Sequence, residues 1–232
     1  MIDTEMLGTE TLEARGFAVL PGLLDPTACR ELAALWPDEG LFRKKIVMQR
    51  HGYGRGEYQY FSYPLPDPIE RLRQTLYPPL AEVANRWNGQ LGREKRFPPS
   101  LKAWLRECHA GGQKRPTPLL LRYGPGDYNC LHRDLYGDLV FPLQVVILLS
   151  EPNRDFTGGE FMLVEQRPRQ QSRGEVVPLR QGDAVVFAVN ERPVQGTRGF
   201  HRTAMRHGVS SLRPGKQGAE RFTLGIIFHD AA

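Results

Sequence analysis

Cysteine is scarce in this chain, with three residues among 232, Cys29, Cys108 and Cys130. An odd and widely spaced set supports neither a disulfide framework nor a Cys-x-x-Cys zinc site, and it suits a reducing compartment, so a cytoplasmic location is expected. Long apolar runs are missing as well. No stretch approaches the roughly 20 residues that cross a bilayer, and Met1-Ile-Asp-Thr-Glu5 lacks the basic-then-apolar start of a secretory leader. No membrane partner is therefore expected. Internal repeats and low-complexity tracts are absent too, which sets aside solenoids and tails of biased composition. Charge excess is small: 31 Lys and Arg against 26 Asp and Glu leave a net +5, spread over both halves. That is compatible with a polyanionic partner without demanding one, because phosphate binding rewards clustered cations.

What remains is ordinary globular material, 40% hydrophobic and 25% charged, enough for one domain with an elaborated core. The first half reads as mixed. Phe17-Ala-Val-Leu20 is a short strand stopped by Pro21-Gly22, and Asp25-Pro26 opens a helix running to about Trp36. Asp67-Pro68 opens a second helix, with an interruption expected at Pro78-Pro79 before it continues through Trp87. Ser100 caps a third, with Leu101, Trp104 and Leu105 on one face. From Leu119 the grammar changes to short Val-, Ile-, Leu- and Phe-rich runs between Gly, Pro and Asp. Strands are expected near 119–123, 139–149, 160–165, 176–179, 184–189, 200–207 and 221–229. The expected fold is α+β, a jelly-roll (double-stranded β-helix, cupin-like) core with N-terminal helices packed on one sheet. Residues 1–116 would be a helical elaboration of the same domain and residues 117–232 its core.

Chemistry concentrates in the second half. On an extended segment, residues two apart share a face, so His132 and Asp134 can aim at one point while Arg133 points away. A second imidazole would complete a 2-His-1-carboxylate set, which leaves positions open on Fe(II) for a co-substrate and dioxygen. His207 and His201 both qualify, being six apart and on one face if their strand is uninterrupted. His207 is preferred because Gly208 and Val209 put little bulk beside it. Arg221 and Thr223 share a face of an otherwise apolar strand. A guanidinium there needs an anion, either a ligand carboxylate with the hydroxyl assisting or a carboxylate of the protein itself.

Two further patterns are decoys. His132-Arg-Asp-Leu135 spells the start of a kinase catalytic loop, but Leu139 stands where that loop needs Asn. Gly52-Tyr-Gly54-Arg-Gly56 lacks the spacing of a nucleotide loop and no helix follows it. Residues 43–55 interleave Arg43, Lys44, Lys45, Arg50 and Arg55 with His51 and Tyr53. Such a mixture suits phosphates and stacked bases, and it equally describes a solvated loop. The adjacent His229-Asp230 pair would point to opposite faces of a strand and is read as structural.

Several segments, taken in order, carry a resemblance. Leu121-Arg-Tyr-Gly-Pro-Gly-Asp-Tyr128 through His132-Arg-Asp134 resembles the iron-binding strand of prolyl-hydroxylase-like 2-oxoglutarate oxygenases. Gly158-Gly-Glu160, Gln181-Gly-Asp-Ala-Val-Val-Phe187, His207 and Arg221-Phe-Thr-Leu224 resemble later elements of the same core. More narrowly, Gly56-Glu-Tyr-Gln-Tyr-Phe61, Arg206-His-Gly-Val-Ser210 and Gly225-Ile-Ile-Phe-His-Asp230 look like a bacterial oxygenase family linked to nucleic-acid oxidation. The interval between His207 and Arg221, with Pro214-Gly-Lys-Gln-Gly218 inside it, is longer than in many prolyl-hydroxylase-like members, so Arg213 competes with Arg221.

The resemblance implies Fe(II) on His132, Asp134 and His207, and 2-oxoglutarate anchored by Arg221 and Thr223. Tyr123 and Gln144 would be additional co-substrate contacts, O2 the oxidant, and ascorbate a stimulant. It implies a dioxygenase that hydroxylates or oxidatively dealkylates its substrate. Nucleic acid with modified or damaged bases is the leading partner, and a protein (prolyl-type) or small-molecule substrate the alternative. A jelly-roll binding module without turnover is the reading from another class. The chain leaves the oligomeric state open.

Overall fold

Asp25-Pro26 does what its chemistry requires: the Asp25 carboxylate accepts hydrogen bonds from the Thr27 and Ala28 amides, and Pro26 takes the first helical position. The structure, a computed structural model, describes residues 8–232; residues 1–7, read above for a leader, lie outside the described residues. Four helices are present, α1 (Thr9–Arg15), α2 (Pro26–Ala33), α3 (Asp67–Gln90) and α4 (Leu101–Ala110). In chain order the strands begin with β1 (Phe17–Leu20), β2 (Phe42–Val47), β3 (Gly54–Arg55), β4 (Glu57–Phe61) and β5 (Leu119–Tyr123). They continue with β6 (Tyr128–His132), β7 (Leu143–Leu148), β8 (Phe156–Gly158), β9 (Phe161–Gln166) and β10 (Arg173–Val177). The last five are β11 (Ala184–Ala188), β12 (Glu191–Gly196), β13 (Gly199–Val209), β14 (Leu212–Pro214) and β15 (Arg221–Ile226).

The strands form the two facing sheets of a jelly roll. The larger runs β1-β11-β7-β15-β5-β4-β2 and the smaller β10-β9-β13-β6-β3, with β12 also on β13 and a separate β8–β14 pair. All six residues of β7 are buried, as expected of a central strand covered on both faces. The cover on the outer side comes from the helices. Tyr77 of α3 packs on Phe141 and Phe228, and Phe97 reaches both Trp104 of α4 and Phe141. No helix among the described residues is long and apolar enough to cross a membrane.

Three expectations need correcting. Pro78-Pro79 does not interrupt α3, which runs 24 residues without a break. Each interior proline costs about 3 kcal/mol, and the burial of Leu76, Tyr77, Leu80, Ala81, Val83 and Ala84 around them offsets that. Residues 1–116 are more than a helical elaboration: they supply β1 to one edge of the larger sheet, β4 and β2 to the other, and β3 to the smaller sheet. Phe-Arg-Lys-Lys-Ile-Val in β2 hid as a strand because its lysines face solvent on a sheet edge, where charge discourages further pairing. The strand expected at 176–179 lies at Arg173–Val177, ending where Pro178 has no N–H to donate.

The C-terminus is clasped from inside. Fully buried Arg73 donates to Asp230 Oδ1 at 2.8 Å, to the Ile227 carbonyl at 2.8 Å and to the Tyr63 hydroxyl at 3.0 Å. His109 Nε2 meets the other Asp230 oxygen at 2.7 Å. His229 is separate from this clasp and accepts the Phe141 amide at Nδ1. Burial, helped by Arg73 and opposed by Asp134 and Asp230, brings its pKa down to about 4. Between pH 4 and the unfolded value near 6.5, the unfolded chain holds a proton the folded one does not. Stability should therefore fall by about 3 kcal/mol as pH drops through that window. His229→Gln removes this loss, so the difference in urea midpoint between wild type and variant should change across pH 6.5 to 4. A constant difference would place the acid sensitivity elsewhere.

Candidate active site

The two imidazoles meet through strand register. On β13 His207 lies opposite His132 of β6, and Val209 opposite Asn129, so β6 carries one residue more between the two pairs. That bulge re-aims the end of β6 and turns Asn129 and His132 alike into the barrel. Asp134 lies beyond the strand end, so the bulge and the loop after it, and not simple alternation along an extended strand, bring it beside His132. His132 Nε2 stands 3.4 Å from Asp134 Oδ1 and His207 Nε2 3.4 Å from Asp134 Oδ2. The three donor atoms all lie within 4.8 Å of one another. His201 pairs with Val194 on the β12 hairpin. Six residues of strand, about 20 Å, separate it from His207, which decides between the two histidines.

Neighbouring groups hold each donor. His132 Nδ1 donates to the Cys130 carbonyl at 2.8 Å, which leaves Nε2 to bond Asp134 when protonated and to offer its lone pair to a metal when not. Tyr136 donates to Asp134 Oδ1 at 2.7 Å and Gln144 to Oδ2 at 2.9 Å. Gln144, expected to contact the co-substrate, thus has its amide nitrogen committed to Asp134, while Oε1 is buried without a partner. Burial works against the Asp134 charge, but bonds from His132 and His207 outweigh it and hold the carboxyl well below the usual range. Burial lowers His207, which is packed 4.7 Å from the Phe187 ring. For His132 burial also lowers the pKa, and the Asp134 bond reverses the net direction to raised. An ionised carboxylate and a neutral buried imidazole are the forms in which these groups bind a divalent cation, and two nitrogens with one oxygen suit Fe(II).

Across a cavity of about 270 Å³ stands the second half of the site, on β15. Arg221 is 1% exposed, and its Nε and Nη1 have no hydrogen-bond partner among the described residues. Burial brings the guanidinium down to about 10, with Tyr123 and Glu160 pulling the other way, so it stays charged at neutral pH. Tyr123 lies opposite it on β5, fully buried, and its hydroxyl accepts from Asn129 at 3.3 Å. Thr223 lines the same cavity from the same strand face. Behind Arg221 runs the Gly158-Gly159 turn; a Cβ on Gly159 would come 3.0 Å from Arg221 Cδ, at a φ of +61°. Arg213, the rival, is exposed on β14 opposite Thr157 and does not line the cavity.

Sequence reasoning missed some of this site. Tyr136 and Asn129 were not singled out, although Tyr136 stands two residues from Asp134, the same spacing that drew attention to His132. Arg133, expected to point away, lines the cavity rim. Removing the supports of Asp134, by Tyr136→Phe with Gln144→Met, should weaken Co(II) binding roughly 10- to 100-fold while leaving the fold intact. Titration by visible absorption reads the change; unaltered affinity would deny both residues a positioning role.

Residues 56–231 match the model of a family described as oxygenases catalysing oxidative methylation of damaged DNA. The uncharacterized protein Rv2227 of Mycobacterium tuberculosis is 56% identical over 172 residues, covering 74% of this chain and 72% of its own length. Among solved structures, a Pseudomonas putida prolyl-4-hydroxylase superposes with a TM-score of 0.53 at 16% identity, covering 95% of this chain and 96% of the other. A Burkholderia pseudomallei oxidoreductase of the 2OG-Fe(II) oxygenase family gives 0.53 at 17% identity, covering 99% and 92%. At such identities the likeness is one of fold.

Proposed function

This chain belongs to the oxygenase family matched over residues 56–231, and from that premise we propose a specific Fe(II)- and 2-oxoglutarate-dependent reaction on nucleic acid. The observation that carries the reading is the convergence in one cavity of a 2-His-1-carboxylate set and a buried guanidinium with two unpartnered nitrogens. His132, Asp134 and His207 hold the metal. Arg221 and Thr223 hold the distal carboxylate of 2-oxoglutarate, because a fork of donors matches a carboxylate in geometry as well as charge. When bound, iron and 2-oxoglutarate supply the oxidising power: with O2, the co-substrate leaves as succinate and CO2, and one oxygen atom enters the substrate.

The protein's own part is placement. Tyr136 and Gln144 fix the Asp134 plane, and the Cys130 carbonyl fixes the His132 tautomer. Phe161 and Phe187, beside His207, keep that wall dry. Tyr123 extends the polar end of the cavity next to Arg221. Hydroxylating an N-methyl carbon gives a hemiaminal, which falls apart into formaldehyde and the unmethylated base. Of this, damaged DNA follows the family description, and the N-methyl group is part of the proposal.

The test combines protein, Fe(II), 2-oxoglutarate, O2 and ascorbate with methylated oligonucleotides or, in parallel, peptide pools. Succinate and formaldehyde in equal amounts with the oligonucleotide are the expected result. Hydroxylated peptide without formaldehyde would overturn the nucleic-acid reading, and no succinate in any arm would overturn the chemistry.

A further inference from the structure

The basic and aromatic segment before the matched family region lies against the strand that ends in His132. Its β3 pairs with β6, Gly54 opposite Asn129 and Arg55 opposite Tyr128. Both backbone groups of Tyr53 are engaged: its N–H donates to the Met48 carbonyl at 3.2 Å, and its carbonyl accepts from the Cys130 amide at 2.9 Å. Gly54, at φ +128°, permits this closeness, because a Cβ there would collide with the Tyr128 carbonyl. Residues 43–55 are therefore an ordered neighbour of the metal ligands rather than a solvated loop.

Within that segment the cations divide. Arg43 donates to the Pro116 carbonyl and lies over the Tyr60 ring, and Lys45 pairs with Glu57. Arg50 and Arg55 are exposed and, among the described residues, make no ion pair; the same holds for Arg133 on the cavity rim. Apolar exposure gathers at the same place. Tyr53, 50% exposed, stacks on His51 with centroids 5.3 Å apart and also lines the cavity, with Tyr58 further along its wall. Leu131 and Leu135, on either side of the metal-ligand pair, are also exposed. Ring faces beside unpaired guanidinium groups match stacked bases and a phosphate backbone together.

Resting on the nucleic-acid reading above, we propose that the segment from β2 to β3 is a grip for single-stranded nucleic acid. Tyr53 stacks a base at the cavity mouth while Arg50 and Arg55 contact the flanking phosphates. The cavity calls for an unpaired base, since the metal ligands lie inside a barrel space of about 270 Å³ that a base still stacked in a duplex does not reach, and a single strand presents such a base without the cost of flipping it.

Fluorescence anisotropy of a labelled oligonucleotide of about ten nucleotides, over a salt series, tests this on the full chain. Tyr53→Ala should weaken binding roughly tenfold whatever the base composition, and Tyr53→Phe should keep it. Arg50→Ala and Arg55→Ala should each flatten the log affinity against log salt slope by roughly 0.7. Co(II) affinity equal to wild type shows that each variant is folded. If wild type binds and the variants bind equally, the grip is overturned while the nucleic-acid reading stands. Duplex bound as tightly as single strand overturns the single-strand assignment. No binding of any oligonucleotide by wild type, with peptides bound instead, overturns the nucleic-acid reading itself.

Discussion

His132→Ala is expected to abolish succinate formation, with a loss exceeding the roughly 100-fold that follows removal of a supporting partner alone. Of the three proposed ligands it is the most informative to remove. Its side chain is 34% exposed and ends a strand, so little packing is lost with it. His207 is buried against Phe187 and Phe161, and truncating it would confound metal loss with a cavity. The variant should retain its melting temperature without metal and lose the stabilisation that Co(II) gives wild type, because a ligand stabilises only the state that binds it. Turnover at the wild-type rate would take His132 out of the site and the iron assignment with it.

Arg221→Met is expected to move two quantities in opposite directions. Dicarboxylate affinity should fall by about 100-fold or more, the usual consequence of deleting one side of a buried charge-assisted contact. The ligand-free protein should become more stable by about 1–3 kcal/mol, because Nε and Nη1 of Arg221 are buried without hydrogen bonds and methionine has no such groups to desolvate. Thermal melts with and without 2-oxoglutarate read both at once. A guanidinium kept for packing alone would give the reverse: lower stability and an unchanged response to 2-oxoglutarate. Lysine at this position would keep the charge and lose the fork, so Arg221→Lys should recover only part of the affinity.

The parts of this site that local sequence could show were those whose chemistry is local. Arg221 and Thr223 share a strand face, a spacing that converts directly into direction; His132 and Asp134 stand two apart, which marks the pair although a bulge and the strand end, and not alternation, bring them together. The choice between His201 and His207 was not local, because it depends on which β13 residue falls opposite the bulge in β6. Gln144 showed as a polar residue in an apolar run, but nothing near it in sequence reveals that its partner is Asp134, ten positions away in the loop after β6. The jelly roll was legible from the punctuation of the second half. Strand β2 was not, since Arg43, Lys44 and Lys45 mark a charged edge strand and a flexible loop in the same way. Pro78-Pro79 misled for a related reason: the local penalty is real, and tertiary burial outweighs it.

In the larger sheet, β15 is flanked on both sides, by β7 and β5, whereas β6 in the smaller sheet has beyond it only the two residues of β3. The amide hydrogens of Arg221 and Thr223 should thus exchange with deuterium only when the whole molecule opens, while those around Cys130 and His132 become labelled through smaller, more frequent excursions. One end of the catalytic chamber should therefore be anchored to a slowly exchanging part of the molecule. The other rides on a border that can yield to an incoming strand without disturbing the rest.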